Sequence, residues 1–412
     1  MRSLLRRTVW QINAIRHRDP LSPTLFARLF GARGRRSWDP ATNPRRIVLL
    51  RSDEIGDTAS TVTLLAALRE RWPRAIIHLV VKPGPASMFH ALPTVDRVIE
   101  WVPVTDGSAL KRQLLTARQG LRRFGFKGYD LAILPRWDFD DTPIRFLAVA
   151  TRARSIVGFS PVPEREPAWL GPQAPLLTDE IWRGTTPLRT VDQLHRIAQY
   201  LGVPWTLHRE PPAGAGLFDA HDAQVAADRA GAADDTRLVI GFGIGARDAK
   251  RQWPVEDLAA VAERLAAQRP VSVRILGGSV DEERGERLRS LLEAHGIRGV
   301  DLTGKLSLSE SAAAIAGCEV FLGNDSGLQH ISSSMNIPTV VVTCHPASGS
   351  PWSDNAPERF GPWSERSAVL QPERPAEGCS DECIAPEPHC IRAVGAEEAA
   401  ETLELLLAGS SR

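Results

Sequence analysis

Short apolar runs alternate along this chain with longer segments whose apolar residues recur at helical spacing, and the alternation happens twice. In the first half the strand-length runs are Ile47 to Leu50, Ile76 to Val80, Arg97 to Trp101, Leu131 to Leu134 and Ser155 to Gly158. Helical patterns fall between them near Thr61 to Arg71, Leu110 to Arg123 and Pro143 to Thr151, and Thr190 to Leu201 closes the half. The second half restarts with strands at Leu238 to Phe242, Val271 to Leu276, Val320 to Leu322 and Thr339 to Thr343. Its helices are expected near Val255 to Gln268, Glu282 to His295, Leu308 to Ile315 and Leu328 to Met335, with a last one at Glu397 to Leu407. Apolar runs spaced by helix-length segments predict parallel strands with crossover helices. The expected class is therefore α/β, with two doubly wound parallel sheets.

A Pro-, Gly- and Ala-rich stretch from Gly202 to about Thr236, containing Pro211-Pro212, marks a boundary between the halves. The expected division is an extension at 1–44, a first domain at 45–205, a linker at 206–236, a second domain at 237–395 and a terminal helix at 396–412.

Composition narrows the class. With 412 residues, 43% hydrophobic content and a formal net charge of +1, the chain is long enough for two cores and is neither disordered nor fibrous. It contains no apolar run approaching the roughly 18 to 20 residues needed to span a bilayer, and no signal-like apolar region after the first arginines. A cytoplasmic address is the expectation, and the five cysteines are expected to be reduced thiols. The near-neutral total hides a basic amino terminus: eleven arginines stand in residues 1–46 against Asp19 and Asp39. Apolar residues interleave with them (Leu4, Leu5, Val9, Trp10, Ile12, then Leu25, Phe26, Leu29, Phe30), which suits residues 1–44 to an anionic membrane surface, peripherally on the cytoplasmic face of the inner membrane. A disordered or core-docked arginine-rich extension is the alternative. Nucleic acid is not expected, because no basic stripe continues onto the body.

The candidate chemistry sits where strands hand over to helices, the edge at which open parallel sheets bind ligands. After the first strand comes Arg51-Ser52-Asp53-Glu54-Ile55-Gly56-Asp57. Asp57 is either a helix cap or a general base at the cleft edge, and Gly56 permits close approach of backbone to ligand. Gly241-x-Gly243-x-Gly245-Ala246 opens the second half in a dinucleotide-like pattern, yet no helix starts at once, and the second strand, whose end should carry the acidic residue, ends near Gly277, well beyond the required spacing. A loop presenting Lys250 and Arg251 to a diphosphate is the better reading. Gly323-Asn324-Asp325-Ser326-Gly327 is the most specific motif: Asp325 or Ser326 can cap a helix, Gly327 keeps amides open to an anion, and Asp325 suits sugar hydroxyls. His330, one turn into that helix, reaches the same ligand or simply packs. Cys379, Cys383 and Cys390 with His389 could hold zinc, but their C-x3-C-x6-C spacing lacks the usual C-x2-C pair, so a metal-free loop with reduced cysteines is the expectation.

Taken in order, these segments resemble glycosyltransferase family 9, the group containing the lipopolysaccharide heptosyltransferases. The matching residues are Arg46 to Ser52 leading into Gly56-Asp57, Trp72-Pro73, Pro93-x-x-Asp96-x-Val98-Ile99, Lys250-Arg251-Gln252-Trp253-Pro254, Asp301-Leu302-Thr303-Gly304-Lys305 and Gly323-Asn324-Asp325-Ser326-Gly327-x-x-His330. The resemblance implies a GT-B architecture of two Rossmann-like domains facing a central cleft, with acceptor on the first and nucleotide sugar on the second. It implies an inverting, metal-independent enzyme with no cofactor, which moves heptose from ADP-heptose to a lipid-linked saccharide. By motif, Asp57 takes the catalytic base's place, Lys250 or Arg251 the diphosphate's partner, and Asp325 the sugar's. The loop departs from the family pattern at Ser60, where His is common, and is more acidic through Asp53 and Glu54. A sugar-nucleotide epimerase and a non-catalytic membrane-docked nucleotide-sugar-binding protein are the rival readings.

Overall fold

The computed structural model describes residues 21–125, 127–137, 142–160, 176–205, 216–231 and 237–409. The first sheet contains β1 (Arg46–Leu50), β2 (Ile76–Val81), β3 (Arg97–Glu100), β4 (Leu131–Leu134), β5 (Ser155–Phe159) and β6 (Asp179–Ile181), in the order β3-β2-β1-β4-β5-β6. The second contains β7 (Leu238–Gly243), β8 (Val271–Leu276), β9 (Arg298–Asp301), β10 (Val320–Asn324), β11 (Thr339–Val342) and β12 (Ser367–Leu370), in the order β12-β11-β10-β7-β8-β9. Every pairing is parallel. Read from its own first strand, each sheet runs 3-2-1-4-5-6, so each has a switch point, at β1/β4 and at β7/β10. Crevices at such points are where this architecture takes ligands.

Alternation along β1 shows how the layers are made. Ile47 and Leu49 face one core, while Val48 and Leu50 face another. The first of these cores does not stop at the lobe boundary: it continues through Leu276, Phe321, Ile331 and Met335 of the second lobe. The two lobes are therefore joined by contiguous apolar packing, largely through α2 (Ile55–Ser60) of the first and α11 (Gly327–Ser334) of the second.

Helices α4 (Ala109–Phe124), α5 (Ile144–Ala150), α6 (Thr190–Leu201) and α9 (Glu282–Ala294) fall where the helical spacing predicts. Three strands absent from the sequence reading, β6, β9 and β12, are all sheet edges. The predicted first helix also begins earlier than Thr61: α2 starts at Ile55 and α3 (Val62–Arg71) follows after Thr61. Within the stretch read as linker lies α7 (Ala220–Ala230), started by a reciprocal capping box between Asp219 and Asp222. It packs on α10 (Leu308–Ala316). The terminal α12 (Ala396–Gly409) lies on α8 (Val255–Ala266) and on the second sheet.

Residues 21–44 are docked on the first lobe, which matches the alternative reading for this part of the extension. In α1 (Pro23–Phe30), Phe26 is fully buried edge-on to Phe146 at 4.9 Å. Trp38 packs edge-on to Trp72, and its backbone N–H donates to Asp179 at 2.9 Å. Leu25 and Leu29 stay exposed beside Arg28. The apolar cluster before Leu21 lies outside the described residues. Among the described residues no helix is long and apolar enough to cross a membrane.

Candidate active site

Both switch points open onto one cavity of about 560 Å³ between the lobes. The first lobe supplies the loop after β1 and Arg136-Trp137 after β4. The second supplies Arg247 and Arg251 after β7, Asp325 to Gly327 after β10, and Arg359-Phe360. Asp57, Arg251, Asp325, Ser326, Gly327, Gly56 and His330 are thus brought together as the sequence predicts.

Asp57 lies in the first turn of α2 rather than at its cap, a position that Glu54 occupies. Its side chain keeps 24% exposure toward the cavity. Thr190 Oγ1 donates to Asp57 Oδ1 at 2.7 Å, and Arg51 Nη2 lies 3.6 Å from the same oxygen. Burial raises the Asp57 pKa above its ordinary value; the Arg51 charge opposes that rise and the nearby Asp53 adds to it. Asp53, four residues earlier, goes the other way. Burial would raise it too, but Arg51 at 2.6 Å, Arg136 at 2.5 Å and the charge of Lys82 hold it below the usual carboxylate range. One loop therefore carries a locked anion and, beside it, a carboxylate biased toward accepting a proton. That is the pairing expected of a base with its support.

In the second lobe, Arg251 sits in a 3-10 turn (Ala249–Arg251) and pairs with Asp325 Oδ2 at 2.8 Å, its guanidinium also donating to the Asp325 carbonyl. Lys250 points elsewhere: its Nζ donates to the carbonyl of Cys383 at 2.7 Å, and it does not line the cavity. Of the two adjacent cations, the cleft has Arg251. Asp325, read as an acceptor for sugar hydroxyls, has one oxygen engaged by Arg251.

Ser326 occupies the cap position of α11 but makes no side-chain bond to the first-turn amides. Those N–H groups thus have no side-chain acceptor, and with Ser326 and Gly327 lining the cavity this helix start favours an anion. The charged lining is asymmetric. The first lobe offers two cations, Arg51 and Arg136, against three carboxylates, Asp53, Glu54 and Asp57, and the second offers three, Arg247, Arg251 and Arg359, against two, Asp325 and Asp354. An anionic group is better placed on the second lobe.

Three predicted binding residues prove to be framework. Gly243 lies outside the cavity wall: with Gly241 and Gly323 it makes room for the Phe321 ring, which covers all three. That packing, not a dinucleotide, explains the glycine pattern. Gly245 also lies outside the lining and lets Asp281 approach. Asn324 is a clamp, its Nδ2 donating to the Ile244 carbonyl at 2.8 Å and its Oδ1 accepting from Trp253 N–H at 2.9 Å. It fixes the loop after β7 against the loop after β10.

His330 is buried, its pKa lowered to about 4 by burial, and its Nδ1 has no hydrogen-bond partner among the described residues. Its ring explains Gly56, because a Cβ at 56 would overlap the imidazole. Reciprocally, a Cβ at Gly327 would come within 2.7 Å of Ile55. The two helix starts cross at glycines.

Several cleft residues escaped the sequence reading. Arg136 and Trp137 follow β4 directly, so the rule that ligands gather at the carboxyl ends of strands would have flagged them. Trp137 stacks on Trp352 of the second lobe at 5.7 Å and 14°, and Arg359 Nη1 donates to the Trp352 carbonyl at 2.8 Å. Arg247 pairs with Glu54 across the cleft at 3.0 Å, with Lys82 on the other oxygen at 2.9 Å. Nothing local in the sequence distinguishes Arg247, Trp352 or Arg359.

Residues 192–387 match the model of glycosyltransferase family 9 (heptosyltransferase). Lipooligosaccharide heptosyltransferase 2 of Haemophilus ducreyi is 24% identical over 339 residues, covering 79% of this chain and 88% of that protein. Among solved structures, a glycosyl transferase of family 9 from Veillonella parvula superposes with a TM-score of 0.68 and 22% identity, covering 89% of this chain and 98% of that one. The E. coli heptosyltransferase WaaC with ADP gives 0.63 and 17%, covering 88% and 99%. These likenesses establish the two-lobed arrangement as GT-B.

Proposed function

We propose that the chain, which resembles the family 9 glycosyltransferases and among them the lipopolysaccharide heptosyltransferases, moves heptose from ADP-heptose onto a lipid-linked saccharide of the lipopolysaccharide core. The observation that carries the reading is the convergence of Asp57 and the Arg251–Asp325 pair on one interlobe cavity. The nucleotide diphosphate lies against the second lobe, where positive charge is in excess and the α11 amides lack a side-chain acceptor. The acceptor hydroxyl lies against the first.

Transfer proceeds in a single displacement. The acceptor oxygen bonds to the anomeric carbon, the bond from that carbon to the diphosphate oxygen breaks, and the acceptor proton passes to Asp57, which inverts the centre. Arg251 and the helix amides stabilise the charge that gathers on the departing diphosphate, without a divalent cation in the reaction. Thr190 and Arg51 orient the base. The presence of ADP in the E. coli relative and the name of the Haemophilus protein support the choice of donor and acceptor.

The test is direct: ADP-heptose and a lipid-linked acceptor, without added divalent cation, should yield ADP and a product heavier by one heptose. Donor incubated alone should remain unchanged. Conversion of donor without acceptor would favour the epimerase instead.

Contact with an anionic membrane is proposed for the basic extension, supported by Leu25 and Leu29 standing exposed beside Arg28. Because Phe26 and Trp38 are core residues, the informative truncation removes residues 1–20 only; unaltered binding to anionic vesicles would overturn a role for that segment.

A further inference from the structure

Away from the cleft, the stretch from Gln371 through His389 contains neither helix nor strand, yet it packs on the second lobe's core. Long segments without regular structure seldom stay fixed in a compact domain unless something ties them. Here three sulfurs and an imidazole converge. One ligand atom from each of Cys379, Cys383, His389 and Cys390 lies within 4.8 Å of all the others. Cys383 and Cys390 are buried and Cys379 is partly exposed, and all three are free thiols.

The separations bear on what the cluster is for. His389 Nδ1 lies 3.6 Å from Cys379 Sγ and 3.7 Å from Cys390 Sγ. A tetrahedral zinc with Zn–S of about 2.3 Å and Zn–N of about 2.0 Å requires S···N edges of roughly 3.5 Å. The ligands thus stand near the corners such an ion needs. The Ala376 N–H also points at Cys390 Sγ at 3.4 Å, the kind of outer contact that supports a metal-bound thiolate. Three thiolates and an imidazole are soft-to-borderline donors that select zinc over magnesium or calcium.

We propose that Cys379, Cys383, His389 and Cys390 form a closed, structural zinc site that staples this stretch to the second lobe. The sequence spacing argues for a metal-free loop, because C-x3-C-x6-C lacks the close pair; the chain instead brings Cys379 and Cys383 together across an irregular turn. The staple connects to the cleft through one backbone carbonyl and one side chain. The Cys383 carbonyl holds Lys250, next to Arg251, and Glu382 accepts from Ser353 Oγ at 2.8 Å in the loop that carries Trp352. The ion takes no part in sugar transfer.

The test measures the metal itself. Chain purified without a metal-affinity step should carry about one zinc per molecule through gel filtration. A mercurial thiol reagent should release that zinc to a chromophoric chelator, with a lower thermal midpoint. Cys379→Ser and His389→Ala should each lose zinc; Cys379 is partly exposed, so its replacement leaves the core packed. Parent protein without zinc, iron in its place, full zinc in the Cys379→Ser variant, or a disulfide between any two of the three cysteines would each overturn the proposal.

Discussion

The loop after β1 and the loop after β10 face each other across one cleft, yet they manage charge by different means. The first is a network of side chains: Arg51, Arg136 and Lys82 hold Asp53 as an anion, while Asp57, in the first turn of the helix that follows, is left inclined to pick up a proton. The second relies on the uncapped start of α11 and on Arg251, which the carbonyl and carboxylate of Asp325 hold in place by accepting from its guanidinium. On the proposed reading, the difference is a division of labour. Proton transfer needs a tuned acidity, which neighbouring charges can set finely, whereas binding a spread-out diphosphate needs many fixed donors.

The largest test of that division is Asp57→Asn. It should lower kcat by about 10²- to 10⁴-fold, the range for loss of a general base. ADP affinity measured by calorimetry should stay near the parent value, and an equal loss in both would erase the distinction between the loops. Next comes Arg251→Ala, which should weaken ADP binding by about 1.5 to 3 kcal/mol, tenfold or more. Lys250→Ala should leave that affinity close to the parent's, because its amine is turned to Cys383. If the two variants weakened binding alike, the assignment of Arg251 to the donor side would fail.

Gly56→Ala probes the seam between the loops. Its new methyl meets the His330 ring, so thermal or denaturant unfolding should show about 1 to 3 kcal/mol of lost stability. An unchanged transition would mean that the lobes separate without cost. The smallest effect is in pH dependence. As the proposed base Asp57 must be deprotonated, and its pKa is raised by burial; activity should therefore be lost as pH falls through a value above the ordinary aspartate figure of about 3.9. An acid limb in kcat/KM at or below that figure would remove Asp57 as the titrating group.

Much of the architecture was legible because buried parallel strands are apolar on both faces. Leu131–Leu134 and Thr339–Val342 read as unbroken runs. The strands that were missed are edges such as Arg298–Asp301 and Asp179–Ile181, where one side meets solvent and the apolar signal thins out. In the site, Asp57, Asp325 and Gly327 could be found because turn chemistry marks them. Arg359 and Trp352 could not: Arg359 sits in the four-residue helix Pro357–Phe360 and Trp352 in the turn before it, and neither position carries a local signal of the cleft. The glycine run at 241–245 misled for a related reason: only the three-dimensional neighbour, Phe321, reveals why those positions are small.

The crossing of Gly56 under His330, and of Gly327 over Ile55, has a bearing on how this enzyme can be recombined. A chimera spliced between its halves joins two surfaces shaped for each other at positions far from the splice. A partner half with a bulkier residue opposite either glycine would not seat, however tolerant the junction. Exchanges that carry the matched contact along should fold, and those that split it should give chains whose halves are sound but whose catalytic groups no longer meet.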